Sequence, residues 1–291
     1  MRRVSRDVAD FVTRVWQKAG SDDIFFLAGG IAFNFLLAAV PFLLLLIAIF
    51  GYFLQANIAD PVVAAGRYID NLFPSPDLQE KARELVGEVI QQRTQFGILG
   101  ILLLIWVSTR VIGSLRSALR AVFDVQEDRG IVAGKIFDAK MVVVAGSLFL
   151  ANTTITIALE AAQTYGVELL GLSSSGEVQV FRQFVAQMLA YAFILAMFVL
   201  IYRYLPARRI PWRIALVASI FTGVAFELLK AVFAWYVTNL ADYSNPYGAS
   251  EAIVLLIFWI YYSAMVFVLG GEVGQVYELL RIRRKQRELL E

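Results

Sequence analysis

Six long runs of apolar residues alternate with charged or turn-forming segments along the chain. A helix needs about 20 apolar residues to cross the hydrocarbon core of a bilayer, and each run is long enough. The pattern predicts an all-α integral membrane protein, a bundle of six transmembrane helices at residues 24–54, 96–119, 139–162, 181–205, 214–240 and 252–277. No linker rich in Pro or Gly interrupts them, so residues 1–291 form a single predicted membrane domain.

Two further segments have the periodicity of amphipathic helices. In residues 1–20, apolar side chains recur at helical spacing opposite Arg3, Arg6, Arg14 and Lys18, a pattern typical of a basic helix lying on an anionic membrane surface. A frayed tail is the alternative. In the loop 55–95, Ser75 and Pro76 begin a second segment with the cap and first-turn residues of a helix. Its role is open between a lid over a cavity and a helix resting on the bilayer.

The composition agrees with a membrane protein and limits its chemistry. Hydrophobic residues make up 59% of the chain, charged residues 17%, and the mean hydropathy is +0.67. The absence of His and Cys excludes a Ser-His-Asp triad, a Cys nucleophile and a His-ligated zinc site. We therefore predict no enzyme activity, no catalytic residues, no cofactor, no metal and no nucleic acid partner.

Basic residues collect on one side of the predicted membrane. Twenty of the 26 lie before the first span, in the regions that connect the second span to the third and the fourth span to the fifth, or in the tail 278–291. The positive-inside rule makes this side cytoplasmic, with both termini on it and the loop 55–95 outside.

Ionisable and polar residues inside the spans are the candidate functional residues, because such groups are costly in hydrocarbon and need protein or water around them. Glu227 and Lys230 are placed to pair across one turn of the fifth span. The pair is either buried between helices or takes part in gating or substrate binding. Contact of the pair with lipid headgroups is a lesser alternative.

Two polar stripes lie at a similar depth in neighbouring spans. One carries Asn152, Thr156 and Glu160 on the third span, and the other carries Gln183, Gln187 and Tyr191 on the fourth. Hydrogen bonding between helices would account for either stripe alone. Together with Lys230 they favour a polar cavity that opens outward and closes toward the cytoplasm.

The chain also shows a diffuse set of motifs. In the later spans these are Tyr204-Leu205-Pro206, Trp212-Arg213, Glu227, Lys230, Phe233, Tyr236, Tyr247-Gly248, Trp259-Ile260-Tyr261 and Gly271-Glu272. With Pro41 and Trp106-Val107-Ser108 they resemble the YihY/BrkB family of bacterial inner-membrane proteins over about residues 25–275. Ala38 and Ala39 depart from the family pattern, which has a serine before the proline.

The resemblance implies a six-helix protein of the bacterial inner membrane, in a family some of whose members are proposed to export lipids or other solutes. The ribonuclease label of other members finds no support in this chain, which lacks an acid-base pair suited to phosphodiester hydrolysis. We expect an exporter or flippase of an amphiphilic or anionic solute, with membrane lipids as partners. The alternative is a non-transporting scaffold or envelope-integrity protein whose polar stripes only hold helices together.

Overall fold

The computed structural model describes residues 2–57, 76–127, 129–170, 176–239 and 248–289, and in these ranges every regular element is an α-helix. The described helices are α1 (Arg2–Ser21), α2 (Ile24–Asn57), α3 (Pro76–Val122), α4 (Ile131–Leu170), α5 (Gly176–Tyr204), α6 (Trp212–Asn239) and α7 (Gly248–Glu288). The predicted all-α class is confirmed.

Three helices, α3, α4 and α7, extend well beyond the segments that the apolar pattern delimits. Helix α3 starts at Pro76, as its helix-start signal predicts, and runs without a break into the span predicted at 96–119. No proline stands between them to stop the helix. Residues 58–75 of the loop, which include Ser75, lie outside the described residues. Helix α4 begins at Ile131, and α7 continues through the predicted tail to Glu288.

Four of the described helices contain a segment that is long and apolar enough to cross a membrane. These segments are Ile24–Leu46, Gly97–Val122, Trp212–Asn239 and Ile253–Glu288. Helix α5 adds a shorter apolar stretch, Tyr191–Tyr204. The membrane character is supported, while the spans at 139–162 and 181–205 and the total of six stay predictions.

Contacts between Cα atoms divide the chain into two compact units, of which the smaller is Asn34–Val111. Within it, α2 and α3 pack as an antiparallel hairpin. A Cβ built on Gly97 would lie 3.6 Å from the Cβ of Ala48, and one on Gly100 would lie 3.1 Å from Leu45 Cγ. The Tyr52 and Thr94 hydroxyls are 2.9 Å apart further along.

The larger unit comprises Met1–Phe33 and Ile112–Glu291, and its core is the packing of α6 against α5 and α7. Small residues bring α6 and α7 together. A Cβ on Gly274 would lie 3.1 Å from the Cβ of Ala218, and one on Gly270 would overlap Thr222 Oγ1. Glycines four residues apart on one helix face allow this close backbone approach, which is a common way for membrane helices to associate.

Tyr202 ties all three helices together at the centre of this core. It is fully buried, and its hydroxyl donates to the carbonyl oxygen of Phe267 at 2.6 Å and lies 2.7 Å from Thr222 Oγ1. Its ring stacks on Phe267 with centroids 5.0 Å apart. Since a buried phenol needs a hydrogen-bond partner, these contacts fix how α5, α6 and α7 pack here.

Candidate functional site

The larger unit has two polar regions of opposite character. The first, which we call the distal pair, is Glu227 and Lys230 on α6. The second, the basal cluster, is Lys18, Asp22, Asp124, Glu272 and Gln275. We call the end of the unit around this cluster, where α1, the end of α3 and the second half of α7 meet, the basal end.

The distal pair forms across one helical turn, as its spacing predicts. Lys230 Nζ donates to Glu227 Oε1 at 2.7 Å. The two side chains are 43% and 48% exposed, so the described residues do not bury the pair between helices. Both residues lie well inside α6, and their exposed neighbours on that helix, such as Leu228 and Val232, are apolar.

Tyr191 is the only member of the two predicted stripes whose side chain is described. Its hydroxyl lies against α6 at Gly223, where an added Cβ would come within 3.1 Å of it. Gly223 precedes Glu227 by four residues, so Tyr191 contacts the helix face that carries the distal pair.

The other five predicted residues lie in helices whose backbone is described. Asn152, Thr156 and Glu160 are in α4, and Gln183 and Gln187 are in α5. Their side chains fall outside the described part of the structure, so their convergence on one cavity stays a prediction.

The basal cluster joins three helices through one lysine. Lys18 Nζ on α1 lies 2.6 Å from Asp22 Oδ2 and 3.2 Å from Asp124 Oδ2, just beyond the end of α3. Gln275 on α7 donates from Nε2 to Asp124 Oδ2 at 3.2 Å. Burial by itself would lower the pKa of Lys18, but the hydrogen bond and negative charge of Asp22 raise that pKa above its usual 10.5.

Two left-handed residues lie at this cluster. Asp22 is four residues after Lys18, so helical spacing brings the two side chains together, and Asp23, with φ 51°, then makes the tight turn into α2. Asp124, with φ 50°, ends α3 in the same conformation. Aspartate tolerates this region better than most residues, because its short side chain bonds to local groups.

Glu272 is the residue that reasoning from the sequence missed. Its side chain is fully buried, and among the described residues neither carboxylate oxygen has a hydrogen-bond partner. Asp22 and Asp124 both act on it with negative charge, and Lys18 acts on it with positive charge. Its position as an ionisable residue within the apolar run 252–277 is the signal that could have identified it.

Arginines complete the basal end. Arg116 binds the buried Asp138 with its Nε 3.1 Å and its Nη2 3.4 Å from the two carboxylate oxygens. Arg129 Nη2 donates to the carbonyl oxygens of Tyr204 and Pro206, at 3.2 and 2.9 Å. Arg203 Nη1 donates to the Ile210 carbonyl oxygen at 2.8 Å. The hydrogen bonds of Arg129 and Arg203 therefore fix the backbone of the short connection from α5 to α6.

Two cavities open at the basal end. One, of about 480 Å³, lies beside Asp124 and is lined by Ser117, Arg120 and Val125 among others. The other, of about 340 Å³, lies between α1 and α7, with Arg14, Lys18 and Arg283 around an apolar floor of Val276, Leu279 and Leu280. In the part of the chain that the structure describes, no group of three or more His, Cys, Asp or Glu residues is arranged to hold a metal ion.

Comparison with known proteins gives a family and no function. A family model described as virulence factor BrkB matches residues 15–289. UPF0761 membrane proteins of Alteromonas mediterranea and Pseudoalteromonas atlantica are each 26% identical to the chain. They cover 94% and 89% of it, and the matches span 90% and 82% of their own lengths. The UPF0761 membrane protein of Chlorobium phaeobacteroides is 27% identical to the chain, and the match covers 88% of this chain and 55% of the length of that protein. No solved structure matches the chain.

Proposed function

The chain belongs to the virulence factor BrkB family of membrane proteins, and from this premise we propose that it exports or flips an amphiphilic or anionic solute. In this proposal it lies in the bacterial inner membrane, crosses it six times and keeps both termini in the cytoplasm. The role is transport and not catalysis, since the chain has neither His nor Cys to serve as a nucleophile or a neutral-pH base.

The distal pair is the observation that carries the proposal. A charged side chain at the centre of a bilayer costs about 2.5–3.5 kcal/mol even by insertion scales, and more on an isolated helix. Glu227 and Lys230 neutralise each other, yet nearly half of each remains uncovered by the described residues. Hydrocarbon is a poor solvent for that surface, and water or a polar solute is a good one. We therefore assign this face of α6 to an aqueous cavity.

The direction of opening follows from the contrast with the basal end. There the helices touch through glycines, Tyr202 is fully buried, and Arg129 and Arg203 fasten the α5–α6 connection. In our proposal this packing seals the cytoplasmic side. The cavity beside Glu227 and Lys230 then opens outward, with Lys230 as the group that attracts the negative charge of the solute.

The scaffold alternative has its own support in the tight interface of α6 and α7, which would suit a protein that only holds a shape. It predicts that the exposed side of the distal pair is covered by the polar stripes of α4 and α5 without water between them. Transport measurements separate the two roles.

The proposal is tested with purified protein in liposomes that carry a fluorescent anionic phospholipid in both leaflets. Dithionite added outside should quench more than the outer half of the fluorescence, and Lys230→Met should remove the excess. Gly146→Ala is the matched control, because a Cβ there meets nothing within 4 Å. A parallel assay follows release of carboxyfluorescein, a water-soluble organic anion. If neither probe moves faster than in protein-free liposomes, the transport proposal fails.

Membrane lipids are the partners that we propose for α1. Its Val12 and Trp16, four residues apart, are 59% and 77% exposed, while Arg14 and Lys18 lie at the edge of the groove against α7. An apolar edge with an interfacial Trp beside basic residues suits a helix lying at an anionic leaflet.

A further inference from the structure

The basal cluster has more hydrogen-bond acceptors than donors. Its three carboxyl groups, on Asp22, Asp124 and Glu272, share the single ammonium group of Lys18, which bonds to the first two. The Gln275 amide nitrogen is also used by Asp124, and its buried Oε1 has no donor. Within the described part of the chain, both oxygens of the fully buried Glu272 are likewise without a donor.

An ionised Glu272 would be unstable in this position. A buried carboxylate without a compensating charge or hydrogen bond costs several kcal/mol, and proteins avoid that cost by neutralising the group. The nearest described charged groups increase the free-energy cost of ionising Glu272, because Asp22 and Asp124 repel an anion and, of the three, only Lys18 attracts it. Arg120, on the adjoining end of α3, directs its guanidinium to the carbonyl oxygens of Val125 and Gln126.

We propose that Glu272 binds a proton and shares it with Asp22, so that the basal cluster is a proton-binding site that fastens α1 to α7. One proton taken from water converts a Glu272 oxygen into a hydrogen-bond donor for the neighbouring Asp22 carboxylate. It also removes one negative charge from a cluster that has only one cation. A metal ion is the weaker occupant, because Lys18 already holds the central cation position between Asp22 and Asp124.

The site has a connection to water and a mechanical consequence. The Asp124 side chain is 62% exposed and lines the cavity of about 480 Å³, which gives protons a route to the cluster. Loss of the proton leaves Glu272 and Asp22 repelling each other, which weakens the contact between α1 and α7. If the proposed transport role holds, the cluster is a coupling site for a proton gradient, but the proton site itself does not depend on that role.

Infrared spectroscopy of the purified chain tests the proposal without any transport assay. A protonated carboxyl has a C=O stretching band that a carboxylate lacks. At neutral pH this band should be present in the unmodified chain and lost in Glu272→Gln. In Asp22→Asn it should persist at a shifted frequency, because the acceptor has changed. Glu278→Gln is the matched control on the same helix, since Glu278 has a basic partner, Arg208, at 3.7 Å.

Thermal unfolding over a pH series gives a second reading. In the folded chain Glu272 keeps a proton that an unfolded glutamate loses in mildly acidic solution. As the pH rises from that range until the folded chain also loses the proton, the melting temperature of the unmodified chain should fall more steeply than that of Glu272→Gln, whose neutral amide can donate to Asp22 at any pH. If the band at neutral pH is absent, or is unchanged in Glu272→Gln, the proposal is wrong. An increase in melting temperature with NaCl that requires Glu272 would instead assign the site to a sodium ion.

Discussion

The basal end and the distal pair place charged groups in the same helical unit but satisfy them by different means. At the basal end, Arg116, Arg129 and Arg203 direct their donors to a buried carboxylate or to backbone oxygens, and helices touch through glycines. Around Glu227 and Lys230, the only described partner of each charge is the other. At the basal end the protein's own groups solvate the charges. The exposed surface of the distal pair needs water or a polar solute to do so.

The largest expected effect comes from breaking the buried pair at the basal end. Arg116→Met would leave Asp138, whose side chain is 1% exposed, as an unpaired buried charge. Removing one partner of a buried pair costs about 3–5 kcal/mol, so we expect a large loss of thermal stability in detergent. The double variant Arg116→Met/Asp138→Asn should recover part of it. Equal stability of Arg116→Met and the unmodified chain would mean that the pair is solvated.

The next effect concerns helix contact at the basal end. In Gly270→Ala the new Cβ would overlap Thr222 Oγ1 and lie 2.7 Å from Tyr202 Oη, so α6 and α7 must separate. Overpacking of this kind costs about 1–3 kcal/mol. Gly146→Ala, which meets nothing within 4 Å, should be neutral or slightly stabilising by comparison. A Gly270→Ala variant as stable as Gly146→Ala would show that the two helices are not in close contact.

At the distal pair we expect a small effect on stability and a large one on transport. In water, an exposed ion pair contributes about 0–1 kcal/mol, so Lys230→Met should unfold within about 1 kcal/mol of the unmodified chain. A double-mutant cycle with Glu227→Gln measures the coupling. Coupling as strong as that of Arg116 and Asp138 would place the pair in a dry environment and favour the scaffold.

The smallest effect is the pH response of Lys18. Because its pKa is raised above 10.5, the stability that it contributes is present below that pH and is lost as the pH rises through the higher folded value. The melting temperature should therefore decline modestly above pH 10.5, and Lys18→Met should lack this part of the decline. A decline identical in the two proteins would show that Lys18 contributes nothing to the contact of α1 with Asp22 and Asp124.

The periodic patterns predicted the helices well and their contacts poorly. Apolar runs and the Pro76 start signal located α2, α3 and α6, and i, i+3 spacing predicted the pairing of Glu227 with Lys230. The basal cluster was not predicted, because Lys18, Asp124 and Glu272 are distant in sequence and meet only through packing. Sequence spacing also gave no indication that the distal pair would be half exposed.

The most direct test of the account is whether water reaches the distal pair. The chain has no native cysteine, so single cysteines at Lys230 and Leu228 can be compared with a thiol reagent that cannot cross membranes. Leu228 is on the same helix at nearly the same depth and is 65% exposed, and it serves as the lipid-facing control. A thiol reacts as its thiolate, which forms in water and not in hydrocarbon. We expect reagent added outside to modify Lys230→Cys and to leave Leu228→Cys unmodified. If neither cysteine reacts while the protein remains folded, the cavity does not exist as proposed.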